Sequence, residues 1–111
     1  MFHVKPQHFL KTVLTVPGVG SAIHVAELAE IDATRCRMLR LIELSPDETI
    51  MGVTDGAVTA GLANTPAEVV PHPDTYDNYP DITATRLSKQ EFEALWHEAV
   101  AKFPQLRSDT P

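Results

Sequence analysis

The stretch LSKQEFEALWHEAVAKFP, residues 87–104, constrains the fold of this chain more than any other. Ser88 stands three residues before Glu91, the spacing at which a serine hydroxyl accepts from the N3 amide while the carboxylate reaches back to the serine amide. Leu87 and Phe92 occupy the flanking staple positions. Phe92, Leu95, Trp96, Ala99, Val100 and Phe103 then recur as one wide apolar stripe on a 3.6-residue helix, and Pro104 closes it. The pattern predicts a helix over 88–103. A stripe carrying two phenylalanines and a tryptophan must be buried against another layer, so the remainder of the chain has to supply one.

That layer reads as a sheet. In HFLKTVLTV, residues 8–16, Leu10, Leu14 and Val16 fall on one side and Phe9, Val13 and Thr15 on the other, in a run rich in β-branched residues. Pro17-Gly18-Val19-Gly20-Ser21 then reverses the chain, proline presetting φ and glycine supplying positive φ. AIHVAELAE, residues 22–30, has the alanine, glutamate and leucine content of a helix. Ile23-His24-Val25 directly after a turn nevertheless favours a second antiparallel strand. In TRCRMLRLIEL, residues 34–44, alternation places Cys36, Met38, Ile42 and Leu44 on a core face; Arg40 breaks the pattern, which predicts a bulge, a snorkelling side chain or a strand end. Ser45-Pro46-Asp47-Glu48 turns the chain into a short strand, TIMGVT, residues 49–54, closed by Asp55-Gly56.

Residues 57–86 contain four prolines and no sustained periodicity, and are expected to form an irregular segment that wraps an edge or an end of the core. The fold expected is therefore α+β: a four-stranded, mainly antiparallel meander sheet with the C-terminal helix packed on one face, in a single domain spanning residues 1–111.

Charge and cysteine usage narrow the function. Nine basic against 15 acidic residues give a formal net charge of −6, a field that repels nucleic-acid phosphates and anionic lipid and attracts a basic partner. Cys36 is the single cysteine, so an internal disulfide and a thiolate cluster are both excluded. The start MFHVKPQHFL has no secretory pattern, and a cytoplasmic location is expected.

No nucleotide-binding glycine pattern, nucleophile elbow or zinc-type histidine spacing occurs, and neither a cofactor nor a metal is expected. Each residue with chemical potential also has a plain structural reading. His72 and Asp74, in PHPD, can form a general-base pair with Asp77 or Asp81 nearby, or be solvated loop residues. Cys36 between Arg35 and Arg37 can be an activated thiol or a small core residue. Phe92 and Trp96 can form a ligand box or part of the core, and Glu93 with His97 a metal-binding or ordinary surface i, i+4 pair. The segment Pro71 to Thr83 interleaves Tyr76 and Tyr79 with Asp74, Asp77 and Asp81. These five residues suit contact with a basic protein surface, the tyrosines supplying area and the carboxylates partners for Arg or Lys.

Glu30, Asp32 and Arg35 in the central strand region, followed by Ser88, Glu91, Phe92, Leu95 and Trp96 in the closing helix, resemble a family of small bacterial domains catalogued as of unknown function. The resemblance implies one compact α+β domain and no known catalytic residues. Similar small acidic bacterial proteins act as antitoxin or immunity partners. Together these readings make a protein-binding module the leading expectation, an immunity-type protein that occludes its partner being the concrete form. A small enzyme or ligand-binding domain using the His72/Asp74 pair is the alternative, and a homodimer sharing a sheet edge or the helix stripe is compatible with either.

Overall fold

The computed structural model describes residues 7–18, 20–62, 68–78 and 82–104. Its elements are β1 (Gln7–Val16), β2 (Gly20–Glu30), β3 (Arg35–Leu44), β4 (Ile50–Thr54), β5 (Thr59–Ala60), β6 (Val69–Pro71), a 3₁₀ helix (Pro73–Asn78), β7 (Ile82–Leu87) and α1 (Lys89–Lys102). Strand pairing is antiparallel throughout, in the order β5-β4-β3-β2-β1-β7, with β6 beside β3. The α+β class and the helix-covered antiparallel sheet are as expected. Among the described residues the sheet has seven strands, not four.

The additional strands come from residues 57–86, which are not irregular throughout. β5 and β6 are two and three residues long, too short for periodicity to register. β7 alternates Ile82, Ala84 and Arg86 with Thr83, Thr85 and Leu87, but gains its place only by pairing with β1, far away in sequence.

Arg40 does mark a bulge. Glu27 lies opposite Arg40 and Leu28 opposite Met38, so Leu39 is the extra residue of β3. One inserted residue inverts the alternation, which corrects the expectation of a single core face along this strand. Ile42 and Leu44 pack under the helix, whereas Cys36 packs with Leu10 and Leu28 in a separate cluster, against which Met38 rests. β4 borders β3 beyond the bulge, at Leu41 to Leu44, and β6 borders it before, at Arg35 to Arg37.

The helix-covered face holds the main core: Phe9, Ile23, Val25, Ile42, Leu44, Val53, Ala60, Phe92 and Ala99 are all buried there. The capping box forms as read, Ser88 Oγ accepting from the Glu91 amide at 3.0 Å and Glu91 Oε1 from the Ser88 amide at 2.8 Å. Phe92 packs on Phe9 with ring centroids 5.3 Å apart and stacks beside Trp96 at 6.1 Å. The Arg40 guanidinium lies 4.7 Å and 4.9 Å from the two ring centroids, so the aromatic pair is filled by the protein's own side chains and is not a ligand box. Arg40 is fixed there by Glu27 Oε1 at 2.5 Å and by a two-pronged pair of bonds to Glu93 at 3.1 and 2.7 Å. Glu93 therefore faces the sheet through Arg40, which corrects its assignment to the solvated face beside His97. At the other end of α1, Lys102 Nζ donates to the Ile50 carbonyl at 2.6 Å, tying the helix to β4. Close by, a Cβ on Gly52 would lie 2.7 Å from backbone atoms of Gly61 and Leu62, an approach open only to glycine.

Candidate functional site

The opposite face of the sheet is roofed at one end, where β6 and the 3₁₀ helix fold back over Leu10, Leu28 and Cys36, with Tyr76 packed against them. Four side chains with chemical potential meet at this end. His8 on β1 and Glu30 and Cys36, which face each other across β2 and β3, point to the same side because their pairing positions share one phase of the pleat. His72 descends on them from the turn after β6; its amide donates to the Thr34 carbonyl at 2.9 Å.

Hydrogen bonds orient both imidazoles. The Asp74 amide donates to His72 Nδ1 at 3.0 Å, and Arg86 donates to His8 Nδ1 at 2.9 Å. Both donors always carry a hydrogen, so each ring proton resides on Nε2. Both Nε2 atoms then donate to the same oxygen, Glu30 Oε1, at 2.7 Å from His72 and 3.1 Å from His8. These bonds hold the Glu30 carboxyl below its ordinary pKa, with the bond from His72 contributing most and that from His8 next. The rings meet edge to face, with centroids 4.9 Å apart. His72 is 4% exposed and Cys36 fully enclosed. One donor atom from each of His8, Cys36 and His72 lies within 4.8 Å of the others.

Beside this cluster a cleft of about 450 Å³ opens between the 3₁₀ helix and β7. Leu10, Ile82 and Ala84 supply its apolar lining, Tyr76 one wall, and Asp74 and Arg86 its charged rim, joined by a bond of 2.6 Å. Across Tyr76 a smaller hollow of about 160 Å³ continues over Thr12, His24, Ala26 and Met38.

The sequence-predicted contact residues are distributed unevenly over this region. Asp74 is exposed at the rim, but its carboxylate is engaged by Arg86. Tyr76 is half-buried against the cluster instead of being displayed. Asp77 lies in the 3₁₀ helix, its side chain outside the described residues; Tyr79 and Asp81 lie outside them altogether. His72 does have an oriented carboxylate partner, but it is Glu30 and not Asp77 or Asp81. The activated-thiol reading of Cys36 fails: desolvation, reinforced by the Glu30 charge, pushes its thiol pKa up. Arg35 turns away to Asp32, which it grips through Nε at 2.9 Å and Nη2 at 2.7 Å.

His8, Glu30 and Arg86 escaped sequence reasoning as site residues. They belong to three strands that meet only through sheet pairing, and no local spacing signals their convergence. The faint signal was their shared phase, because His8 follows the same alternation as Leu10.

No family model, curated protein or solved structure matches the chain. Among the described residues no helix is long and apolar enough to cross a membrane.

Proposed function

We propose that the protein is a binding module that takes an extended segment of a basic partner protein along the edge of β7. The observation that carries this reading is the state of the two sheet edges. At one end β5 is two residues long, which blunts that edge. At the other, β7 runs for six residues and, among the described residues, pairs only with β1. Its sequence, ITATRL, contains one charge and none of the prolines that commonly guard an edge.

Strand addition to such an edge supplies main-chain hydrogen bonds, and pockets for alternate side chains supply selectivity. Ile82, Ala84 and Arg86, the alternate residues of β7, line the cleft. The net charge of −6 speeds the approach of a cationic chain, and Asp74 at the rim, bonded through Oδ1 to Arg86, would share its carboxylate with an incoming Lys or Arg. In concrete form this is an immunity or antitoxin role, the partner being neutralised by occlusion. The enzyme alternative loses its footing because a general base must reach a substrate proton, and both His72 nitrogens are already engaged beneath the roof.

Selection of a random linear peptide library on the purified protein, with the Ala84→Trp variant as counter-target, tests the proposal. The expected peptides combine β-branched residues with Lys or Arg, associate more slowly as salt rises, and bind at least about tenfold more weakly to Ala84→Trp. Peptides that bind both proteins equally, or whose association ignores salt, overturn the assignment of the β7 edge. Sedimentation of the protein alone settles the remaining occupant, since a concentration-dependent dimer abolished by Ala84→Trp would assign this edge to a second copy.

A further inference from the structure

We propose that His8, Cys36, His72 and Glu30 form a binding site for a divalent transition-metal ion of the zinc class. The donors come from β1, β3, the turn after β6 and β2, so the site exists only in the folded chain. The separations among one donor each of His8, Cys36 and His72, at most 4.8 Å, exceed the roughly 3.3–3.8 Å edges of a tetrahedron with zinc-type bond lengths. Inward movement of about 1 Å closes the difference. Glu30 Oε1 stands between the two Nε2 atoms but outside the set of donors that lie within 4.8 Å of one another, so it becomes the fourth donor by also moving toward Cys36.

The chemistry of the set selects the ion. Two imidazoles, one thiol and one carboxylate are a mixed nitrogen, sulfur and oxygen set that suits zinc and disfavours the hard cations magnesium and calcium. A dication also balances the charge. Cys36 as thiolate and Glu30 as carboxylate together carry two negative charges, so the loaded site is neutral, as an enclosed position requires. Cys36 surrenders one proton to solvent on loading; each imidazole keeps its proton, which moves from Nε2 to Nδ1.

Acceptors for the relocated protons decide whether this rearrangement works. Asp74 Oδ2 lies 3.7 Å from His72 Nδ1; once the Asp74 amide that now donates to Nδ1 gives way, this carboxylate accepts the new N–H and completes a carboxylate–histidine–metal relay. Beside His8, Arg86 must withdraw from Nδ1; it is 52% exposed on a long stem and stays bonded to Asp74 as it moves. Four protein donors leave no open coordination position, so the ion is structural. It fastens the turn at His72 to three strands and thereby sets one wall of the cleft.

Cobalt(II) titration of the reduced full-length protein is the direct test. One equivalent is expected to give visible tetrahedral bands with a thiolate-to-cobalt charge-transfer band, and zinc is expected to displace it. Cys36→Ser should abolish the charge-transfer band and weaken zinc binding by more than about 100-fold, while Asp74→Asn should weaken it by about 10-fold. His8→Gln, at the more accessible end of the site, serves where Cys36→Ser fails to fold, and it should also lose zinc affinity. His24→Gln, on the same sheet face but paired with Glu43, should bind as the parent does. Absence of the tetrahedral spectrum, or zinc affinity unchanged in both Cys36→Ser and His8→Gln, overturns the site.

Discussion

The two faces of the sheet solve the same burial problem differently. Under α1 the cover is a regular helix whose stripe interlocks with Phe9, Ile42 and Val53, and the half-buried Arg40 is matched by the buried Glu27 and by Glu93. On the opposite face the cover is only the short β6 and the 3₁₀ helix. It encloses Leu10, Leu28 and Cys36, then stops, leaving Leu14 exposed and a cleft open beside β7. The first arrangement maximises apolar area and serves stability. The second spends much of its cover on His8, Glu30 and His72, groups that a core built for stability alone would replace with leucines. The bulge at Leu39 makes the division possible, because it lets one strand feed both cores.

Truncating the helix-side core should have the largest effect. Phe92 is fully buried between Phe9 and Trp96, so Phe92→Ala should lower the unfolding free energy by about 3–5 kcal/mol in urea titration, and both faces should melt together. A loss below about 1 kcal/mol would mean that α1 is a detachable lid, and the comparison would collapse. Arg40→Met comes next. It keeps a stem over the rings but leaves Glu27 without its guanidinium in a buried position, at an expected cost of about 2 kcal/mol. Arg40→Lys should recover part of this, since an ammonium cannot bridge Glu27 and Glu93 with the same fork.

How legible each face was in the sequence follows from how local its signals are. The capping box, the stripe and the strands around Phe9, Ile23 and Ile42 are written in contiguous residues and could be read from them, whereas which side of β1 meets the helix could not. Arg40 announced the bulge, but its consequence for Cys36 and Met38 required knowing where the extra residue sits. On the far face the signals are non-local. β7 looks like loop until β1 is beside it, and His8 and Glu30 gain meaning only when His72 is folded onto them. Of the five anticipated contact residues, Asp74 was placed at the rim, whereas Tyr76 was drawn inward because Leu10 and Leu28 leave apolar surface that an aromatic ring covers well.

A smaller and more local effect should distinguish the turn-covered face. Tyr76→Ala removes half-buried aromatic area from the cluster of Leu10, Leu28 and Cys36, and should cost about 1–2 kcal/mol. Hydrogen exchange is the informative measurement. The amide of Thr75, which donates to the His72 carbonyl, and that of Asp74 should lose protection, while amides within α1 keep theirs. Equal loss in both regions would show that the two covers unfold as one unit.

Acid should separate the faces last and most gently. Glu30 on the far face and Glu93 on the helix face both have pKa values lowered from 4.5, by the imidazole N–H bonds in one case and by the Arg40 guanidinium in the other. A carboxyl whose pKa falls on folding adds stability that is complete above its unfolded value and is lost as pH drops through its folded value. Both contributions are therefore present at neutral pH and fade below about pH 4.5. Glu30→Gln and Glu93→Gln should each lie below the parent in melting temperature at pH 7 and converge on it in acid. The gap in Glu93→Gln should narrow without altering exchange in the 3₁₀ helix, whereas Glu30→Gln should loosen Asp74 and Thr75 at neutral pH and lose that difference in acid, because its amide cannot receive two imidazole N–H bonds as strongly as a carboxylate does. If both variants instead tracked the parent in parallel from pH 7 into acid, neither carboxylate would be held by the partners assigned to it.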